Sequence, residues 1–202
     1  VDFKAITHDN PLVLASDSPR RKRLLEQIHL PYRPVPSHLD ENRLMNAPGR
    51  GPARLAQEKA WAVRDRTPGR WILGADTVVC LGEKVLGKPK DAEAARGMLT
   101  RLGGRTHEVV TGFCILDPSG KPVHSEEVTT RVRMRALSHR EIAGYVATGE
   151  SFGKAGSYAI QGVGAFMVES ISGSYTNVVG LPVCALVRAL LALGALDRFP
   201  VG

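Results

Sequence analysis

The chain has 202 residues, 43% of them hydrophobic and 23% charged, enough to bury a full core and ordinary for a globular protein, which argues against disorder. No run approaches the roughly 20 consecutive apolar residues of a membrane span. The 27 Lys and Arg against 20 Asp and Glu give a net charge of +7 and a pI near 9.6, a balance that favours phosphate-bearing partners without separating polymers from small molecules.

Val1 to Asn10 lack an initiator Met and the apolar core of a signal peptide; they are expected to form a flexible segment ahead of a single domain over residues 11–202, in the cytoplasm. Cys80, Cys114 and Cys184 are odd in number and without CxxC spacing, so they read as reduced core residues and not as a disulfide frame or zinc site. Leu12 to Ser16 reads as a short strand. Ser18-Pro19 then supplies an N-cap and a first-turn proline for a helix to about His29. A strand around Tyr32 to Pro36 leads into a polar stretch, Ser37 to Arg50, and a helix from about Pro52 to Arg66 with Leu55, Ala62 and Val63 on one face.

A strand over Trp71 to Cys80 turns at Gly82-Glu83-Lys84 into Val85 to Lys88, and Pro89 ends that hairpin before a helix over Ala92 to Leu102. Arg105 to Leu116 and Val123 to Met134 form a long hairpin by their alternation and turn residues. Ser138 to Thr148 is a capped helix, with Glu141 at the capping-box position. There follow a glycine-rich segment to Gly164, a strand at Ala165 to Ser170, a loop through Ser174 to Asn177 and a helix from Pro182 to Leu193. Strand–helix units mixed with long hairpins predict an α/β or α+β fold around one mixed sheet.

Asp76 interrupts a run otherwise apolar enough to be a buried strand. An unpaired buried charge is strongly disfavoured, so this carboxylate should meet a metal, a cation or a substrate, although a strand-end Asp paired with one Arg is the plainer alternative. Arg20, Arg21, Lys22 and Arg23 crowd the first turn of the first helix, where the macrodipole favours negative charge. An incoming phosphate, met by amides, guanidinium groups and the hydroxyls of Ser16 and Ser18, removes that conflict; a solvated surface or a nucleic-acid patch is the other reading. Arg21 shares its face with Leu24, Leu25 and Ile28 and should point toward the core or a cleft.

Lys59 lies on the Leu55, Ala62, Val63 face, where a lysine often snorkels to the edge. The hairpin brings Lys88 back opposite Thr77 or Val78, within reach of Asp76. Asp40 and Glu41 form an acidic loop pair that is usually only solvated but, with Asp76, is suited to a hard divalent cation. Lys154 to Gly162 contains glycines that permit close backbone approach and Gln161, whose amide is able to read a base edge. His107, on a strand, reads as a core or hairpin residue more than as a catalyst. These features suit a small polyphosphate with a metal better than a nucleic-acid backbone, which calls for an exposed basic stripe with stacking aromatics; aromatics are 5% here.

The blocks Leu14-Ala15-Ser16-Asp17-Ser18-Pro19-Arg20-Arg21, Gln57-Glu58-Lys59-Ala60, Gly74-Ala75-Asp76-Thr77-Val78-Val79, Gly87-Lys88-Pro89, Lys154-Ala155-Gly156 and Ile160-Gln161-Gly162 strongly resemble the Maf nucleotide pyrophosphatase family. The resemblance implies an elongated α/β fold, a mixed β-sheet flanked by helices and related to the inosine triphosphate pyrophosphatases. It also implies a frequent homodimer that cleaves nucleoside triphosphates to monophosphate and pyrophosphate with a divalent metal, Mg²⁺ or Mn²⁺. By that similarity Asp76 is the catalytic carboxylate, and Ser16, Arg20, Glu41, Lys59 and Lys88 fall at phosphate, metal and acid–base positions, with Lys154 on the substrate side. Arg21, Thr77 and Gln161 match positions tied to substrate choice in the branch that resembles a dTTP and UTP pyrophosphatase. The 7-methyl-GTP branch differs at all three places and ranks second. A non-enzymatic nucleic-acid-binding or division-regulating protein is the rival suggested by the +7 charge. Asp17 stands where the family often has a small residue, and its role is open at this point.

Overall fold

The computed structural model describes residues 3–39 and 51–201. Among these are seven strands, β1 (Leu12–Leu14), β2 (Tyr32–Pro34), β3 (Ile72–Leu81), β4 (Lys84–Leu86), β5 (Thr106–Leu116), β6 (Pro122–Met134) and β7 (Val168–Ser172), and six helices, α1 (Pro19–Gln27), α2 (Pro52–Arg64), α3 (Ala92–Leu102), α4 (His139–Ala147), α5 (Tyr175–Val179) and α6 (Val183–Ala192). The strands form one mixed sheet in the order β2-β1-β3-β5-β6-β7, with β4 paired to β3 off that path. β1 pairs parallel to β2 and to β3, whereas β4 pairs antiparallel to β3 and β7 to β6. The parallel pairs need helical crossovers, and α1 is the first of them. The chain divides into two compact units, Val1–Asp76 with Thr111–Val128 and Gly180–Gly202, and Thr77–Val110 with Thr129–Val179.

In the first unit the core gathers Val13, Ala15, Ala56, Ala60, Val63, Ile72, Cys114 and Leu116. Small residues let α2 settle onto the strands. A Cβ at Gly74 would stand 1.9 Å from the Ala56 carbonyl oxygen, and one at Gly112 would stand 2.1 Å from the Ala53 nitrogen. Both glycines therefore serve close backbone approach. The buried face of α2 is Pro52, Leu55, Ala56, Lys59, Ala60 and Val63; Ala62, expected on that face, is exposed, because the tight contact turns the Ala56–Ala60 edge inward. Residues 3–10 touch the first unit at several points: Ile6 is buried, its N–H donates to Ala195 O at 2.8 Å, Phe3 meets Trp71 edge-on, and Trp71 Nε1 donates to Lys4 O.

The second unit buries Val79, Leu99, Leu102, Val109, Val132, Met134, Ile142, Tyr145 and Met167 together. Its helices begin where local chemistry says they should. Asp91 accepts from Ala94 N–H at 2.7 Å at the start of α3, and Ser138 with Glu141 completes the expected capping box of α4. Two expectations shift. The glycine-rich segment contains 3-10 turns at Ala155–Ser157 and Val163–Met167, and the second consumes the start of the expected strand, so β7 begins at Val168. The expected loop at 174–177 is instead the start of α5, because the Ser174 hydroxyl accepts from Asn177 N–H at 3.2 Å and the Asn177 amide donates to Val109 O and Thr130 Oγ1. Of the three cysteines only Cys114 is buried; Cys80 is half-buried and Cys184 exposed, and all three are thiols.

Gly74→Ala is expected to destabilise the protein by about 3 kcal/mol, since the Cβ meets backbone that has no rotamer to change. Gly97→Ala, inside α3 with nothing within 4 Å of the new carbon, is expected to stabilise it by roughly 0.5–1 kcal/mol. Urea midpoints of the two variants check this contrast.

Candidate active site

The approach of α2 to β3 sets the central pair. Gly74 and Asp76 lie on the same face of β3 by the two-residue alternation of a strand, and Lys59 follows Ala56 by just under one turn of α2. Where Gly74 admits the helix backbone, Lys59 Nζ comes to 2.7 Å from Asp76 Oδ1, with side chains 4% and 9% exposed. Lys59 does not snorkel. The carboxylate singled out in the apolar run thus has a buried cation for a partner.

Beside this pair in the same unit stands the β1–α1 junction. Ser18 holds the extended N-cap conformation with Pro19 after it, but its side chain makes no cap bond. The Ser16 hydroxyl, two residues earlier, accepts from Ser18 N–H at 3.2 Å and from Arg21 Nη1 at 3.1 Å. With both lone pairs occupied, Ser16 has its proton left to donate. Arg21 is buried, as its helical face required, and its Nε donates to Gly180 O at 2.8 Å. The guanidinium is thereby a brace across the junction. Arg20 is half-buried; burial first, then the neighbouring Arg21 charge, push its pKa below the ordinary arginine value. No acidic residue occupies the first turn of α1. Asp17 points outward and pairs with Lys22 at 2.7 Å, a bond that holds its carboxyl below the usual range.

The profile of the family described as Maf-like protein matches residues 11–193. The chain belongs to the Maf family. Among its relatives, the dTTP/UTP pyrophosphatase of Syntrophotalea carbinolica is 49% identical over 196 residues, covering 95% of this chain and 89% of the relative. That of Geobacter sp. (strain M21) is 50% identical over 194 residues, covering 94% and 99%, and that of Myxococcus xanthus is 48% identical over 189 residues, covering 91% and 92%. Likeness to solved structures is more distant: a nucleoside-triphosphatase / dITP/XTP pyrophosphatase from Mycobacterium abscessus aligns at a TM-score of 0.46 and 17% identity, covering 91% of this chain and 94% of that one.

Thr77, Lys88, Lys154 and Gln161 belong to the second unit. Thr77 is half-buried on β3, directly after Asp76. The β3–β4 register pairs Leu81 with Lys84, Cys80 with Val85 and Val79 with Leu86; β4 ends at Leu86, so Lys88 follows the paired strand and is exposed. Gly156 N–H donates to Gly87 O at 3.2 Å and so ties the glycine-rich loop to the Gly87-Lys88-Pro89 segment. Gly156 has φ +70° and sits against Val79, which makes glycine necessary there. Lys154 is turned into its own loop, donating to Glu150 O and Phe152 O, while Gln161 is exposed. His107 is buried as a core residue, 2.8 Å by Nε2 from Tyr158 Oη, with no partner at Nδ1. Asp40 and Glu41 lie outside the described residues. Missed from the sequence were the Gly180 carbonyl, which carries no side-chain signal at all, and Gly74, whose place in an apolar strand was the available one.

A double-mutant cycle on Lys59→Met and Asp76→Asn tests the pair by denaturant unfolding. Each single change leaves one buried charge and is expected to cost about 3–5 kcal/mol, and the double change less than their sum by roughly 1–3 kcal/mol. His107 gives a pH signature. Burial pushes its imidazole down from 6.5 to about 4, so the native state binds fewer protons than the unfolded chain between those values. The associated stability is complete above pH 6.5 and is lost as pH falls toward about 4, on the order of 3 kcal/mol in all. His107→Gln is expected to cost more at about pH 7.5 than at about pH 5 in urea unfolding.

Proposed function

We propose that this Maf-family protein is a nucleoside triphosphate pyrophosphatase that cleaves dTTP and UTP to the monophosphate and pyrophosphate. The observation that carries the reading is the buried Lys59–Asp76 pair, held at 2.7 Å by a helix that two glycines admit. A charge pair taken out of water is a poor device for stability alone; next to a cationic helix start it is suited to phosphoryl chemistry. Relatives named dTTP/UTP pyrophosphatase at 48–50% identity support the substrate class. Thr77 and Gln161, at the branch positions, support pyrimidine choice over 7-methyl-GTP.

In this reading water attacks the α-phosphorus in line with the leaving pyrophosphate. Asp76 accepts the proton of that water, and Lys59 holds the carboxylate in place and offsets the charge developing on the phosphate. Ser16 donates to a phosphate oxygen, and Arg20 meets the tail at the positive end of α1. Lys88, by its place in the Gly87-Lys88-Pro89 motif, is assigned to neutralising the departing group. Arg21 acts by bracing Ser16 and Gly180.

A divalent cation, Mg²⁺ or Mn²⁺, belongs to the proposal. A hard cation of this kind is held through one or two carboxylates and substrate oxygens. Asp76 and Glu41 would hold it. When bound, its chemistry is to polarise the phosphoryl oxygens. A cytoplasmic location and a homodimer are part of the proposal. No described helix is long and apolar enough to cross a membrane.

Pyrophosphate release measured across dTTP, UTP, CTP, ATP, GTP and 7-methyl-GTP tests the reading. dTTP and UTP are expected to turn over best, and preference for a purine overturns the substrate assignment. Chelation with EDTA is expected to abolish turnover and added Mg²⁺ or Mn²⁺ to restore it. Asp76→Asn is expected to lower kcat by about 10²–10³-fold while near-native circular dichroism persists below its lowered melting temperature.

A further inference from the structure

Gln161 is exposed in a loop rich in glycine, yet the backbone on both sides of it is tied to one pair of side chains. Two residues before it, Ala159 N–H donates to Tyr145 Oη at 3.1 Å. The Tyr145 hydroxyl donates in turn to Glu150 Oε2 at 2.8 Å. After Gln161, Val163 N–H donates to Glu150 Oε1 at 3.0 Å and Gly164 N–H to Oε2 at 2.8 Å. Tyr145 is anchored in the buried face of α4, and Glu150 follows the end of that helix, just past Gly149 at φ +77°.

Gly162 makes room for this arrangement. Its φ of −115° is open to any residue, but a Cβ there would stand 1.8 Å from Glu150 Oε1. The glycine serves the carboxylate and not the backbone conformation. The protons also have a single direction. Burial raises the Glu150 pKa, but the Gly164 amide, the Tyr145 hydroxyl and the Val163 amide outweigh it and hold the group below its usual value. Burial, then Glu150, push the Tyr145 phenol up. At neutral pH the carboxylate is purely an acceptor, and the phenol keeps the proton that it donates.

We propose that Tyr145 and Glu150 are positioning residues for base selection: a clamp on residues 159–164 that holds the Gln161 amide where it meets the pyrimidine edge. The proposal rests on the reading of Gln161 as the base-facing residue. Base selection is a difference between two affinities, and an amide on an unrestrained loop follows either base. A clamp that closes on the backbone at both sides removes that freedom without touching the nucleotide.

The test is steady-state kinetics of the full chain with UTP, dTTP and GTP for Tyr145→Phe, Glu150→Gln and Gln161→Ala, alone and combined. Tyr145→Phe keeps the buried ring and removes only the hydroxyl. Each clamp variant is expected to raise KM for UTP and dTTP about tenfold, to leave kcat within about twofold, and to lower the pyrimidine-over-GTP preference accordingly. In a Gln161→Ala background the clamp substitutions should change the preference no further. Gly162→Ala, which pushes on Oε1 from the other side, should reproduce Glu150→Gln. If Gln161→Ala loses the preference while Tyr145→Phe and Glu150→Gln keep it and show only a lower melting temperature, the clamp is overturned and the reading of Gln161 stands. If Gln161→Ala itself keeps the preference, that reading falls and the clamp falls with it.

Discussion

A carboxylate placed in the middle of an apolar strand dictates much of the first unit. Asp76 needs a cation at hydrogen-bond distance, and a helix brings one. Lys59 reaches it because Ala56 lies against the strand backbone, and Ala56 lies there because residue 74 has no side chain. The apolar cluster of Val13, Ala56, Ala60, Val63 and Ile72 then fixes the helix in that seat. The packing and the chemistry are one arrangement, and replacing the pair by well-fitted apolar residues would keep the fold while removing its purpose.

Charge is distributed by the same logic at the β1–α1 junction. Crowding basic residues into a first helical turn opposes the helix dipole. Arg21 escapes that conflict inward, onto a carbonyl and a hydroxyl, and Lys22 turns outward to Asp17. Arg20 keeps its charge at the helix start, partly withdrawn from water, which strengthens its pull on an anion. The carboxylate at residue 17 is therefore spent on balancing its own helix.

Periodicity made most of the elements legible. α3 has the expected bounds, the capping box of α4 announced itself in Ser138 and Glu141, and the inward course of Arg21 and Lys59 followed from their spacing to neighbouring leucines and valines. What escaped was long-range. The 3-10 turns around Gly164 and the start of β7 depend on a carboxylate fourteen residues away, as Gly164 N–H to Glu150 shows. α5 depends on Asn177 reaching β5 and β6. The contacts of residues 3–10 are with Trp71 and Ala195. In the candidate site, the need of Asp76 for a partner was readable from burial cost, but its pairing with Lys59 was not, since a lysine on an apolar helical stripe often snorkels, and the Gly180 carbonyl carries no mark that a one-dimensional pattern can hold.

The serine at position 16 imposes a chemical sorting rule on whatever approaches it. Because neighbours already fill its acceptor sites, the hydroxyl can extend nothing but a proton. Oxyanions find a welcome there, while ammonium groups, which only donate, are met by a matching pole and turned away. One rotor, fixed by an arginine that never faces the solvent, thus gives the junction a sign preference that adding more surface lysines would not reproduce.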